Sequence, residues 1–444
     1  MEFYIENYGC SANTASGEII AGLLEKAGLI NVENPKNAQI IIINTCIVKA
    51  PTEHAMLRRI KLLSETFPEK KIIVAGCLAD VEKEEALAVS PNASFLGSHH
   101  IREITSLVKK IIKGKSAEIT GYANEIKLSL PRERKNPAIA IIPICEGCIG
   151  NCAYCIVKIA KGKLFSYPME SVLKEIKASV KSGCREVWIT SQDNSTYMLD
   201  KQKKSALPEL MKGIDSIPGK FWTRIGMMNP DSIMPVLDDL IPKFRSDKVF
   251  KFIHIPVQSG SDEVLKRMRR KYTSDDFREI ISEFRKKIPK ITLSTDIICG
   301  FPGEAREQFM ESVNLVKEIQ PDFLNISRFW AMKGTEALQM KGQINGNETK
   351  ERSKILTIEF SKIAVEKNRA EIGTQSSVLI DDDLGNGNFI GRTEFYKPVS
   401  VKAEKYRNYF GRKIGDAFGQ FIDVKITGAG KFSLSGEIVG RIRD

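Results

Sequence analysis

No run of this sequence approaches the ~18 consecutive apolar residues that a membrane-spanning helix needs, so no membrane is expected among its partners. The opening Met1-Glu2-Phe3-Tyr4-Ile5 lacks the basic start of an export leader and reads directly as a strand. Nine cysteines, odd in number and scattered over 444 residues, do not form the pattern of a disulfide framework. A reducing cytoplasm, with thiols kept for metal or catalysis, is the expected setting. The Cys145 to Cys155 stretch also lacks the features of two familiar metal sites. Structural zinc sites pair short knuckles across a longer loop, whereas here four thiols crowd into eleven residues. A ferredoxin run would end in Cys-Pro, but Cys155 is followed by Ile156.

What remains is Cys148-Ile149-Gly150-Asn151-Cys152-Ala153-Tyr154-Cys155, a C-x3-C-x2-C triplet leaving the apolar run Ala138 to Ile144. Thiolate-rich loops select soft metals and iron–sulfur clusters, and an electron-carrying cubane normally takes four cysteines. Three leave one iron open for a substrate or cofactor. Cys145 as a fourth ligand would close that iron; at a strand end it is a bystander, which is the reading adopted. The chain is long enough for two or three domains, and its 42% hydrophobic and 27% charged content is that of a folded protein. A formal net charge of +12 suits a polyanionic partner such as nucleic acid without establishing one.

Met1 to Lys115 alternates strands with helices: Phe3 to Tyr8, Gln39 to Asn44, Lys71 to Ala75 and Phe95 to Gly97 against Thr14 to Ala27, Thr52 to Glu65, Val81 to Val89 and Arg102 to Lys113. That rhythm predicts a small open α/β domain. Cys10, Cys46 and Cys77 each follow a predicted strand by one to three residues. Ligands of open α/β sheets gather at strand carboxyl ends. One such cysteine is more simply a buried small hydrophobe; three in the same topological position favour a shared metal site. Ser116 to Asn136 reads as a polar linker or crossover strand. Six strands follow (Ala138 to Ile144, Glu186 to Thr190, Phe221 to Ile225, Phe252 to Pro256, Thr292 to Ile298, Phe323 to Ser327) with helices between them, among them Asp231 to Phe244 and Ser274 to Lys287. They predict a partial or full parallel α/β barrel with its functional groups at strand carboxyl ends. A long helix, Thr349 to Gly373, closes it. From Thr374 onwards, short strands between Gly, Asn and Asp turns predict a small antiparallel β-barrel. There Arg392, Lys397, Lys402, Lys405, Arg407, Arg412 and Lys413 interleave with Phe395, Tyr396, Tyr406, Tyr409 and Phe410, as on a nucleic-acid surface where aromatics stack on bases.

The triplet with Tyr154 before its last cysteine, after the first strand of an α/β barrel, resembles the radical S-adenosylmethionine superfamily. The stretches Glu146 to Lys158, Arg224-Ile225-Gly226-Met227-Met228-Asn229-Pro230, His254 to Asp262, Asp296 to Glu304 and Asn325-Ile326-Ser327-Arg328-Phe329 narrow it. They resemble the tRNA methylthiotransferases, and most closely the archaeal and eukaryotic branch acting on N6-threonylcarbamoyladenosine beside the anticodon. The resemblance covers essentially the whole chain. It implies residues 1–118 as an α/β domain with an auxiliary cluster, 134–370 as the radical core and 371–442 as a TRAM-like, tRNA-binding barrel. It implies two [4Fe-4S] clusters, one on Cys148, Cys152 and Cys155 that binds S-adenosylmethionine and generates the radical, the other on Cys10, Cys46 and Cys77 that carries the sulfur. The product would be 2-methylthio-N6-threonylcarbamoyladenosine. An adenine C–H has no acidic proton for base catalysis at neutral pH, a difficulty that a radical route answers.

By motif position Tyr154, Gln192, Asp193, Arg224, Gln258, Asp296 and Glu304 look like cofactor-pocket residues. Asp193 and Glu304 could instead cap helices, and Gln258 could satisfy a buried loop. His254 reads as a satisfied core histidine, and Lys266 to Lys271 as a solvated charge run that could touch phosphate. Ala331-Met332-Lys333-Gly334-Thr335 and Ala160-Lys161-Gly162 depart from the family's usual arginine-containing turns. An external electron donor and a monomeric state complete the expectation. The alternatives are methylthiolation of N6-isopentenyladenosine or of a ribosomal protein aspartate, a zinc-stapled RNA-binding protein, and a two-cluster electron relay.

Overall fold

A computed structural model describes residues 1–47, 50–114, 116–384, 387–410 and 417–441. The N-terminal sheet is wholly parallel, with spatial order β2-β1-β3-β4-β5-β6. Its strands are β1 (Glu2–Asn7), β2 (Ile30–Asn31), β3 (Ile40–Thr45), β4 (Lys71–Gly76), β5 (Ser94–Leu96) and β6 (Glu118–Ile119). The four consecutive isoleucines of β3 are buried on both faces. Ile41 and Ile43 enter one core and Ile40 and Ile42 the other, because successive strand side chains alternate between faces. Helices α1 (Ser11–Lys26), α2 (Ala50–Thr66), α3 (Cys77–Val81), α4 (Lys83–Val89) and α5 (Ile104–Ile112) cover the sheet. The predicted Val81–Val89 helix is α4, which starts at Lys83 because Glu82, at φ −131° and ψ 47°, separates it from a further helix, α3. The segment read as a polar linker is held tightly: Lys127 is buried with its ammonium on Glu146, and Arg132 lies 3.0 Å from Glu175.

The central domain follows with β7 (Ile139–Pro143), the short antiparallel pair β8 (Cys145–Glu146) and β9 (Phe165–Ser166), then β10 (Glu186–Thr190), β11 (Trp222–Ile225), β12 (Phe252–His254), β13 (Thr292–Cys299) and β14 (Phe323–Arg328). Strands β7, β10 and β11 form one parallel group and β12, β13 and β14 another. The bridge Thr223↔Val249 and the bond from Met228 N–H to His254 O (2.9 Å) join them into one curved sheet. Among the described residues β7 and β14 do not pair, so the barrel is partial.

Its helices are α6 (Val157–Lys161), α7 (Met169–Lys181), α8 (Leu207–Asp215), α9 (Pro230–Ile233), α10 (Leu237–Leu240), α11 (Asp262–Arg267), α12 (Ser274–Lys287), α13 (Arg306–Ile319) and α14 (Gly346–Arg369). The predicted Asp231–Phe244 helix is replaced by α9, α10 and two 3-10 turns, Met234–Val236 and Ile241–Arg245. Pro235 and Pro242 each open such a turn, since proline cannot donate within a continuing helix.

The tail is a closed barrel, β15-β16-β17-β19-β18, from β15 (Gln375–Asp383), β16 (Asn388–Thr393), β17 (Pro398–Lys402), β18 (Phe421–Ala429) and β19 (Leu434–Arg441). It also carries α15 (Ala403–Phe410), where no helix is predicted from the sequence. The expected aromatic surface is corrected here. Tyr406 is buried against Phe389, and Tyr396 lies between the two barrels at 4.7 Å from Phe252 and 4.8 Å from Phe250. Arg412, Lys413 and the side chains of Tyr409 and Phe410 lie outside the described residues. Among the described residues of this domain Phe432 is an exposed aromatic, with Lys431 over its ring at 4.8 Å. Lys402, Lys405 and Arg407 are exposed along β17 and α15.

At the junction of the two barrels Glu186 and Asp381 share one buried pocket. Trp188 Nε1–H donates to Glu186 at 2.5 Å, and Arg392 Nε–H to Asp381 at 3.0 Å. Burial pushes the Glu186 carboxyl up to about 8, with the Asp381 charge adding to it. Folding therefore favours the protonated form: the stabilisation is complete below the ordinary carboxylate range and is lost as pH rises through about 8. The thermal midpoint of the protein should fall as pH rises from about 5 to about 8, and Glu186→Gln should flatten that fall. Equal slopes in a melting series for the two proteins would refute it.

Candidate active site

Strands β1, β3 and β4 are neighbours in the sheet, so their carboxyl ends bring Cys10, Cys46 and Cys77 side by side. Cys10 caps α1 and is exposed, Cys46 leaves β3 buried, and Cys77 opens α3 buried. Gly9 has φ +101°, and a Cβ there would stand 2.7 Å from Cys46 Sγ, so only glycine lets the two loops approach. Burial pushes the Cys77 thiol up to about 12, with Cys46 and Cys10 adding to it and Lys161 opposing it. The three thiols thus act on one another across one pocket.

The second triplet stands at the ends of the central strands. Gly150 N–H donates to Cys148 Sγ at 3.2 Å, and a Cβ on Gly150 would fall 3.2 Å from Cys148 Sγ and 3.8 Å from Cys152 Sγ. The loop is pinned from two sides by bonds from Ala153 N–H to Met268 O (3.1 Å) and from Ala337 N–H to Ala153 O (2.9 Å). Burial raises the Cys148 thiol to about 12 and the Cys155 thiol above its ordinary value. Cys145 is buried in the core of the central domain with Ile144 and Tyr167, where burial pushes its thiol up, the Ser191 hydrogen bond opposes that, and the charges of Asp193, Asp200 and Cys148 add to it. Cys184 and Cys299 are buried in that core too.

Among the described residues no three His, Cys, Asp or Glu side chains close around a single metal ion. A four-iron cubane gives each thiolate its own iron, and two all-thiol triplets in glycine-lined loops are a donor set that fits it. Raised thiol pKa values are those of the metal-free protein; iron would bind the thiolates and release the protons.

From the loop a polar chain runs inward. Arg270 donates to the Tyr154 hydroxyl and, at 2.6 Å, to Asn229 Oδ1; Asn229 Nδ2–H donates to Asp193 Oδ2 at 2.7 Å. Its guanidinium lies 5.6 Å from the Tyr154 ring and 5.8 Å from that of Tyr272. Arg270 and Asn229 are absent from the residues singled out as site candidates in the sequence. Arg270 sits in the cationic run 266–271, where Lys266, Arg269 and Lys271 are exposed as a solvated face, while Met268 is buried and Arg267 bonds Gly303 O and Gln308. The apolar Met268 inside it is the signal that one side turns inward.

Asp193 also caps the 3-10 turn Asn194–Thr196, taking the N–H of Ser195 at 3.0 Å. Gln192 lies beside it, with its buried Oε1 lacking a partner among the described residues. Gln258 has φ +71° and stitches β12 to β13 through Asp296 O and Ile298 N–H. The Asp296 carboxylate takes His254 Nε2 at 3.0 Å and Asn325 Nδ2 at 2.5 Å. These residues stand at or near the carboxyl ends of β10, β12 and β13. Glu304 turns away, buried against Arg352 (2.7 Å) and Gly300 N–H (2.7 Å). Arg224 lies deeper, within 5.5 Å of Trp188, Phe252 and Tyr396 and facing the junction with the tail barrel. The unpartnered Gln192 oxygen fits a polar cofactor at the strand ends.

Residues 142–316 match the radical SAM superfamily, and residues 2–97 match uncharacterized protein family UPF0004. A Methanothermobacter thermautotrophicus protein named probable threonylcarbamoyladenosine tRNA methylthiotransferase is 41% identical over 94% of this chain and 98% of its own. The Xenopus laevis threonylcarbamoyladenosine tRNA methylthiotransferase is 34% identical over 99% of this chain and 77% of its own. The chain belongs to the threonylcarbamoyladenosine tRNA methylthiotransferase family. Among solved structures, the radical S-adenosylmethionine methyltransferase TsrM of Kitasatospora setae, with cobalamin and a [4Fe-4S] cluster bound, superposes with a TM-score of 0.55. The match spans 85% of this chain and 80% of that one at 11% identity, and so speaks for a shared fold. Family membership accounts for the radical core and its cofactors; the pinned loop shows how this chain builds that core.

Proposed function

We propose that this protein inserts a methylthio group at C2 of N6-threonylcarbamoyladenosine in tRNA, beside the anticodon, by radical chemistry. The observation that carries it is the second thiol triad, on three adjacent strand ends, in a chain similar over nearly its whole length to proteins of that name. Cys148, Cys152 and Cys155 would hold the cluster that binds S-adenosylmethionine, and Cys10, Cys46 and Cys77 the auxiliary one. Bound, these groups supply reductive cleavage of the cofactor and a sulfur for transfer.

The protein's own part is positional. The Tyr154–Arg270–Asn229–Asp193 chain fixes the loop relative to the ends of β10 and β11, and Gln192, Gln258 and Asp296 line the space above it. Glu304, through Arg352, holds the turn after β13. Arg224 positions the lower barrel wall against Tyr396. Residues 1–118, 134–370 and 371–442 act as sulfur-carrying, radical-generating and tRNA-holding units, the last through Phe432, Lys431 and the exposed cations of β17 and α15. We read the protein as a cytoplasmic monomer served by an external electron donor.

Mass spectrometry of nucleosides from tRNA incubated with reconstituted protein, reductant and S-adenosylmethionine should show 2-methylthio-N6-threonylcarbamoyladenosine. Product only on isopentenyl-modified tRNA, or only on a ribosomal protein, would replace the substrate. Stoichiometric zinc without iron would replace the enzyme reading with a zinc-stapled RNA-binding one.

A further inference from the structure

The thiol pocket of the N-terminal domain receives one charged side chain from the other domain. Helix α6 starts two residues after Cys155, and its apolar side, Ile156 and Ala160, packs into the N-terminal core with Cys77, Leu78 and Met332. Its last residue, Lys161, is thereby delivered to the pocket, where only 6% of its surface is exposed. Cys77, Glu146, Cys10 and Asp80 all act on its charge. Yet its ammonium has no hydrogen bond and no carboxylate within ion-pair distance among the described residues.

The carboxylates near it are engaged elsewhere. Glu146 holds the Lys127 ammonium and stands 3.6 Å from His99, and Asp80 accepts the Ser98 N–H at 2.7 Å. Those negative groups hold the Lys161 ammonium charged in spite of its burial, yet none of them accepts its N–H bonds, so its donors are left for an anion that arrives later. Bound iron would spread the negative charge of Cys10, Cys46 and Cys77 without cancelling it, so a further anion entering the pocket would need a nearby cation to offset its repulsion. A compact cation with three rotatable donors on a flexible stem suits a small, soft anion presented at varying angles.

We propose that Lys161 is the docking cation for the small anionic sulfur species, sulfide or methanethiolate, that the auxiliary thiol site takes up. The inference rests on the methylthiotransferase reading. It also gives α6 a second task, since one helix carries a cluster cysteine's loop at its start and the sulfur's counter-charge at its end.

The test uses full-length reconstituted protein as wild type, Lys161→Met and Lys161→Arg, with S-adenosylmethionine present to occupy the radical site. The electron paramagnetic resonance signal of the reduced auxiliary cluster is titrated with sodium methanethiolate and, separately, with sodium sulfide. Iron content and 5′-deoxyadenosine formation are followed in the same samples. Lys161→Met should keep its iron and its cofactor cleavage but need about tenfold more of at least one anion for half-saturation. Lys161→Arg should stay near wild type. The arm that responds identifies the sulfur species, and a response in both assigns recognition to their shared charge. Unchanged half-saturation in both arms overturns the proposal. So does loss of the auxiliary iron from either variant, which would make the lysine a part of cluster assembly. Failure of the functional reading shows itself differently, as wild-type protein that binds methanethiolate but leaves tRNA unmodified.

Discussion

Alanine at any one of Cys148, Cys152 or Cys155 is expected to reduce S-adenosylmethionine cleavage to the level of iron-free protein. Each thiolate in a three-cysteine site holds one iron, and no other cysteine is placed to substitute. Cys145, the nearest in sequence, is 1% exposed and packed in the core of the central domain. The expected iron content is half that of wild type, because the N-terminal pocket is built from other strands. Cys145→Ala is the matched control: it should keep full iron and full cleavage, measured as 5′-deoxyadenosine by chromatography. Cleavage surviving in all three triplet variants would remove the radical assignment, and loss in Cys145→Ala would make that residue a ligand.

The second large effect separates the two sites. Alanine at Cys10, Cys46 or Cys77 should leave cofactor cleavage intact and bring methylthiolated nucleoside below detection. Cleavage depends on the loop, Tyr154 and Arg270, none of which rests on these thiols. Cys46 and Cys77 are only 4% and 6% exposed, so their truncation also removes buried volume and costs about 1–2 kcal/mol of stability. Cys10 is exposed and carries no such penalty, which makes Cys10→Ala the cleanest variant of the three. Product formed at the wild-type rate by Cys10→Ala would refute an auxiliary cluster on this triad.

Much of this was legible in the residues, for identifiable reasons. The isoleucine run of β3 announces a strand buried on both faces, and α12 is bounded as predicted because Thr273 and Asp276 form a capping box at its start. The three N-terminal thiols could be grouped because parallel α/β sheets put loop after loop at one edge. What was hidden depends on partners distant in sequence. Arg270 looks solvated in a cationic run until Tyr154 and Asn229 enclose it. Tyr396 looks like a base-stacking aromatic until Phe250 and Phe252 take it. The helix expected over Asp231 to Phe244 failed for a local reason, two prolines, which the apolar periodicity around them masked. Lys161 stood out only as a departure from a familiar turn; its burial in another domain's pocket is a tertiary fact.

The aromatic contact between the two barrels has a consequence for substrate choice. Tyr396, Phe250, Phe252, Trp222 and Phe421 interlock where β11 and β12 begin, at the end of the sheet opposite the cysteine loop. The tail barrel is therefore fastened to the base of the central one, and cannot swing without pulling rings out of a packed interior. An RNA gripped on its outer face must span a fixed length to place a base at the open edge. The protein would then measure its substrate as a gauge does, accepting a nucleotide for its distance from the grip as well as for its chemistry.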